Sequence, residues 1–87
     1  MKATARDKRY MNKVAALGCL VCGAKPELHH IRFGQGMGQR AGNMLIIPLC
    51  AEHHRGSYSI HGSPRQFTLI QGTELEMLNT TIGQVLG

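Results

Sequence analysis

Two ligand pairs of identical spacing, Cys19-x2-Cys22 and Cys50-x2-His53, lie in separate parts of an 87-residue chain. Pairs of this kind close a tetrahedron around structural zinc, because each delivers two donors from one tight turn. A chain this short buries little core of its own, so a bound ion would contribute directly to folding. The alternative, three buried and inert cysteines, does not account for the paired spacing. The second pair is ambiguous at this stage. Cys50-x3-His54 closes the same site as well as Cys50-x2-His53 does.

The compartment follows from the cysteines. Their count is odd. The first ten residues, MKATARDKRY, are basic and polar, with no apolar stretch before a cleavage site. Metal-bound thiolates in a reducing, cytoplasmic setting are therefore expected rather than a disulfide framework. The longest nearly apolar run, Val14 to Ala24, is too short to cross a bilayer and contains Cys19 and Cys22. No membrane partner is expected.

All ten Lys and Arg lie at or before Arg65, where only Asp7, Glu27 and Glu52 oppose them. That part carries seven net positive charges, and the remainder, with Glu74 and Glu76, carries two negative ones. A basic face beside a metal cluster suits a polyanion, nucleic acid first among them.

Local patterns divide the chain into one domain over residues 1–87. Residues 1–7 read as a basic arm, 19–61 as the metal and catalytic core, and 63–86 as C-terminal helices. Asp7 is placed to cap a helix reaching Leu17, with Tyr10, Met11, Val14 and Leu17 on one face and Gly18 as its stop. Cys19 to Gly23 reads as a zinc knuckle. Leu28 to Phe33 is an extended piece bearing His29 and His30. Gly34 to Gly38 is a glycine-rich loop. Leu45 to Leu49 is a short strand that Pro48 makes an edge, and it delivers Cys50 to a short helix over Ala51 to Arg55. Gly56 to Gly62 is irregular and holds His61. Ser63 and Pro64 start a helix carrying Phe67 and Ile70. Thr73 to Glu76 is a capping box. Leu75, Leu78, Ile82, Val85 and Leu86 then follow helical spacing as core positions.

Once zinc has its ligands, His29, His30, His61 and one of His53 or His54 are left over. Neighbours on an extended segment point to opposite sides. One of the His29-His30 pair can thus hold a metal while the other acts as a base. Phosphodiester hydrolysis needs both: a cation to neutralise the phosphate and a base for the attacking water. Neutral histidine suits the second role.

These residues resemble the HNH, or His-Me finger, nuclease family. His29-His30-Ile31 matches the first element of the family motif. Cys50-Ala51-Glu52-His53-His54 matches the last, with His in place of the second Cys. The strings Tyr10 to Cys22, His29 to Arg40, Ile47 to Arg55 and Ile60-His61 are similar, in order, to the recombination-linked, RecA-dependent phage members. The resemblance covers about residues 8–72. It implies an α+β fold with a small ββα-metal core, a zinc knuckle and flanking helices. It implies His30 as general base, His29 and His54 as ligands of a catalytic divalent cation (Mg²⁺ expected), and His61 as a third ligand or a phosphate contact. Cys19, Cys22, Cys50 and His53 would hold structural zinc. The position five before Cys50, Asn or Asp in the family, is Leu45 here, and Asn43 is the nearest substitute.

The expected function is thus metal-dependent cleavage of DNA, phage- or prophage-linked, inside a bacterial host cell. Arg32, Arg40 and Arg55 are the candidate phosphate contacts. With only Lys2, Arg6, Lys8 and Arg9 before Tyr10, weak binding is expected, and a RecA-type recombinase filament is the candidate partner that presents the strand. The rival expectation is a non-catalytic zinc module that binds nucleic acid. It uses the same zinc site and charge but leaves the adjacent histidines without a role.

Overall fold

A computed structural model describes residues 3–32 and 42–87. The predicted glycine-rich loop and Arg40 lie outside the described residues. The elements run α1 (Ala5–Leu17), β1 (Glu27–His30), β2 (Ile46–Leu49), α2 (Ala51–Arg55), α3 (Pro64–Gln71) and α4 (Glu74–Leu86). The fold is small and α+β, a two-stranded antiparallel sheet among helices. No described helix is long and apolar enough to cross a membrane.

The helix starts are chemically explicit. Thr4, not Asp7, is the N-cap of α1. The Thr4 hydroxyl accepts from the Asp7 amide, and the Asp7 carboxylate accepts from the Thr4 amide. Asp7 is the third residue inside the helix, so the predicted arm shortens where α1 begins. Thr73 and Glu76 form the same reciprocal box at α4, satisfying two amides that a helix start otherwise leaves orphaned. Ser63 occupies the N-cap position of α3 but does not cap with its side chain. Its hydroxyl donates to the Ser57 carbonyl and holds the preceding loop instead.

The sheet register pairs Glu27 with Leu49, Leu28 with Pro48, His29 with Ile47 and His30 with Ile46. Side chains alternate across a strand, so Glu27 and His29 share one face with Ile47 and Leu49, and His30 takes the other. Every residue of β2 is buried, because α1 and α4 both pack against it. β2 starts at Ile46; Leu45 stays outside it and is partly exposed. Ile47 and Leu49 meet Ile31, Phe67, Met77, Leu78, Cys19 and Cys50 in one core.

The predicted apolar face of α4 is displaced. Met77, Leu78 and Thr81 are buried, whereas Leu75, Ile82 and Leu86 are exposed. Ile70 of α3 is likewise exposed, and Phe67 anchors that helix alone. Thr81 enters the core because its hydroxyl donates to the Met77 carbonyl one turn back, which leaves a methyl group for packing.

Two glycines make opposite predictions. Gly18 ends α1 at φ +79°, and a Cβ there would stand 2.7 Å from the Gly23 carbonyl oxygen. Gly83 lies inside α4, where a Cβ meets nothing within 4 Å. Gly18→Ala is therefore expected to destabilise by more than about 1 kcal/mol. Gly83→Ala should stabilise by about 0.4–1 kcal/mol. Urea denaturation of the two variants reads both signs.

Candidate functional site

The first cluster is built by two turns. Cys19 follows Gly18 into a loop closed by Gly23 N–H to the Cys19 carbonyl, at 2.8 Å, and Cys19 N–H to the Ala24 carbonyl, at 2.9 Å. Leu20 N–H donates to the Pro48 carbonyl and docks the loop on β2. Cys50 leaves β2 as the residue before α2, and His53 follows one turn later. The donor atoms of Cys19, Cys22, Cys50 and His53 all lie within 4.8 Å of one another. Cys22 Sγ is 3.6 Å from Cys50 Sγ. His53 Nδ1 is 3.2 Å from Cys50 Sγ and 3.7 Å from Cys19 Sγ. A zinc tetrahedron, with bonds near 2.3 Å to sulfur and 2.0 Å to nitrogen, has edges of roughly 3.4–3.8 Å. The donor set therefore fits zinc in both chemistry and spacing. His53, not His54, stands with the cysteines.

Electrostatics prepare this cluster for a cation. Burial opposes charge on Cys19, but the amides of Cys50, Cys22 and Val21 and the His53 ring hold its thiol down to about 6. At Cys22 the Ala24 amide lowers the thiol, yet burial and the neighbouring sulfurs outweigh it and raise it overall. The sulfurs repel one another's charge, and a bound dication relieves that repulsion.

The second cluster comprises His29 from β1, His54 from α2 and His61 from the loop after α2, with ring nitrogens again within 4.8 Å of one another. The His29 and His61 ring centroids are 4.9 Å apart, and those of His54 and His61 are 4.7 Å apart. His61 is returned to α2 by the backbone. Ile60 N–H donates to the His53 carbonyl and His61 N–H to the His54 carbonyl. Buried Ser59 locks the turn, donating to the Gly56 carbonyl at 2.6 Å and accepting from Gly62 N–H at 2.7 Å.

Carboxylate partners assign the tautomers of His29 and His54. Arg32 Nη1 lies 3.3 Å from His61 Nδ1. His61 Nε2 lies 3.1 Å from His54 Nε2, and a metal held by both rings would take the place of the proton between them. His54 in turn donates from Nδ1 to Glu27 at 2.8 Å. His29 donates from Nε2 to Glu74 at 2.6 Å. Burial pushes His29 down more strongly than Glu74 pulls it up, and burial together with the neighbouring His29, His54 and Arg32 charges pushes His61 down. Both shifts favour the neutral ring, the form that binds metal. Beside them, Arg32, Ile60, His61, Pro64, Thr68 and Glu74 line a cleft of about 280 Å³.

His30 takes the opposite face of β1 from His29. Its Nε2 is 3.2 Å from Asn43 Oδ1, and Asn43 Nδ2 donates to Asp7 at 3.3 Å. The Asp7 carboxylate only accepts, so it fixes which end of the Asn43 amide faces His30. His30 therefore donates from Nε2, and Nδ1 is its basic nitrogen. Asn43 thus partners His30, while Leu45 projects from outside the strand.

Among the predicted phosphate contacts, Arg55 is committed elsewhere. Its guanidinium grips Glu27 through Nε and Nη2, the latter at 2.8 Å. Arg32 remains at the cleft. Glu27 and Glu74 are site residues that the sequence reading passed over. Strand parity signals Glu27, two residues before His29. Nothing local signals Glu74, which sits 45 residues from its partner.

Glu27 makes a pH prediction. Arg55 first, then His54, hold its carboxyl down to about 2, from an ordinary 4.5. A depressed carboxylate stabilises the fold above its unfolded value, and that contribution is lost as pH falls from about 4.5 towards 2. Glu27→Gln is expected to be less stable than the parent chain at pH 7, with the gap closing across that acid window. Paired urea titrations at stepped pH measure it.

Comparison with known proteins adds a family but no chemistry. The chain is 32% identical over 82 residues to the "Uncharacterized protein YdfU" of Escherichia coli (strain K12). The match covers 91% of this chain and 23% of that relative, so the chain spans about a quarter of the relative's length. The model of the family described as "Protein of unknown function (DUF968)" matches residues 2–87, and the chain belongs to that family.

Proposed function

We propose that this chain is a metal-dependent DNA endonuclease of the ββα-metal, HNH type. One observation carries the reading. The β1-β2-α2 unit, with the Cys19–Cys22 turn before it and the His61 loop after it, brings together two different ligand groups, and His30 stands on the opposite face of β1. The Cys19, Cys22, Cys50 and His53 group supplies four donors and closes a structural site. The His29, His54 and His61 group supplies three, which leaves positions for water or substrate and is the pattern of a catalytic site. His30, next in the chain to His29, is oriented by the Asn43–Asp7 relay.

An ion at the three histidines would supply Lewis-acid stabilisation of the phosphate and of the leaving oxygen. Three neutral imidazoles suit Mn²⁺, Co²⁺, Ni²⁺ or Zn²⁺ better than Mg²⁺, which prefers oxygen ligands and keeps its waters. The Mg²⁺ expectation from the resemblance is therefore ranked below these ions. His30 Nδ1 would accept the proton of the attacking water, and Asn43 would hold the ring in the tautomer that permits it. Arg32, beside the cleft, would bind phosphate. DNA is favoured as substrate by the seven net positive charges up to Arg65.

The test is conversion of supercoiled plasmid by zinc-loaded protein, with each of these ions added and with EDTA. Ion-dependent nicking is expected, and a companion reaction with a RecA-type filament and a homologous oligonucleotide tests targeted cutting. Retained DNA binding with no cutting under any ion would leave the zinc-module reading in its place.

A further inference from the structure

The geometry points to Glu74, at the first turn of α4, as the positioning residue that holds His29 for a metal in the three-histidine cluster. The inference rests on the metal reading of that cluster and extends it to a helix outside the β1-β2-α2 unit. Among the described residues, a histidine ring and a backbone amide converge on one carboxylate. His29 donates to Oε2 at 2.6 Å, and the Arg32 amide reaches Oε1 at 3.0 Å and Oε2 at 2.9 Å. The capping box of Thr73 and Glu76 fixes the helix start from which Glu74 projects. The carboxylate therefore has one orientation, set by β1's exit on one side and by α4 on the other.

Glu74 is bonded to the cluster without belonging to the mutually close donor group of His29, His54 and His61. This is the outer-layer arrangement of metal-binding histidines. One ring N–H goes to a carboxylate, which fixes the tautomer, stops ring rotation and raises the basicity of the other nitrogen. With Nε2–H held by Glu74, Nδ1 of His29 is the nitrogen that carries the lone pair. His54 repeats the pattern with Glu27 on its Nδ1 and Nε2 turned towards His61. His29 is 2% exposed, so no water can replace the carboxylate without the burial being undone.

The experiment is Co²⁺ binding to zinc-loaded protein, by calorimetry, with zinc content and melting temperature recorded on the same samples. The proteins are the parent chain, His54→Ala, Glu74→Gln and Glu74→Ala. Loss of an outer-layer partner typically weakens metal binding about 10–100-fold. Glu74→Gln is expected to weaken Co²⁺ by about that factor, with zinc content and melting held. It keeps the length and an oxygen acceptor, so it serves even where Glu74→Ala fails to fold. A purely structural Glu74 would lower melting and leave Co²⁺ affinity alone, and that result overturns the proposal. Loss of Co²⁺ in His54→Ala with normal binding by Glu74→Gln also overturns it, while leaving the metal reading intact. A parent chain that takes no Co²⁺ beyond its zinc overturns the metal reading and this inference together.

Discussion

Replacing Cys50 by serine is expected to release zinc and unfold the domain. Cys50 joins the two halves of the site. It follows β2, precedes α2, and stands 3.6 Å from Cys22 Sγ and 3.2 Å from His53 Nδ1. It is also a buried member of the core that contains Ile47, Leu49 and Phe67. Structural zinc contributes roughly 10–16 kcal/mol in finger peptides. Whole domains are stable by only about 5–15 kcal/mol, so a crippled zinc site leaves little margin. His53→Ala should follow Cys50→Ser, whereas His54→Ala should keep its zinc, since His54 belongs to the other cluster. Zinc content by metal analysis and thermal melting by far-ultraviolet circular dichroism decide it. A Cys50→Ser protein that holds one zinc and melts normally would sink the assignment.

The second large effect is on cleavage. His30→Ala is expected to lower plasmid nicking by about a hundred- to ten-thousand-fold, the usual cost of losing a general base. Zinc, melting and DNA binding should be unchanged, because His30 faces away from His29 across β1, is in neither ligand cluster and is only half-buried. Asn43→Ala should lower nicking less. The proposed base remains, but its ring loses the oxygen at 3.2 Å that fixes its tautomer. Normal cutting by His30→Ala would show that the proton goes elsewhere.

Spacing alone made much of this site legible. Ligand pairs two residues apart must come from one turn, so Cys19-Cys22 and Cys50-His53 declare themselves as local geometry does. Adjacent residues on a strand must face opposite ways, so His29 and His30 had to part company. The capping boxes, the glycine stops and the helix after Cys50 are likewise contacts within a few residues. The sequence therefore determined which side chains could be ligands, where the turns fall, and that one histidine of the pair would be separated from the cluster the other joins.

Only the tertiary structure decided the remainder, and each case depends on residues distant in the chain. The choice between His53 and His54 depends on where α2 sits against the knuckle, since both spacings satisfy a tetrahedron locally. Helical periodicity could not find the buried face of α4, because Leu75, Ile82 and Leu86 lie on a stripe left exposed while Met77, Leu78 and Thr81 face the core. Arg55 read as a candidate phosphate contact, and β1 pairs it with Glu27. Glu74 read as helix-start chemistry until packing set it against a histidine 45 residues away. Long-range pairing of opposite charges depends on the summed packing of all elements, and no window of sequence contains it.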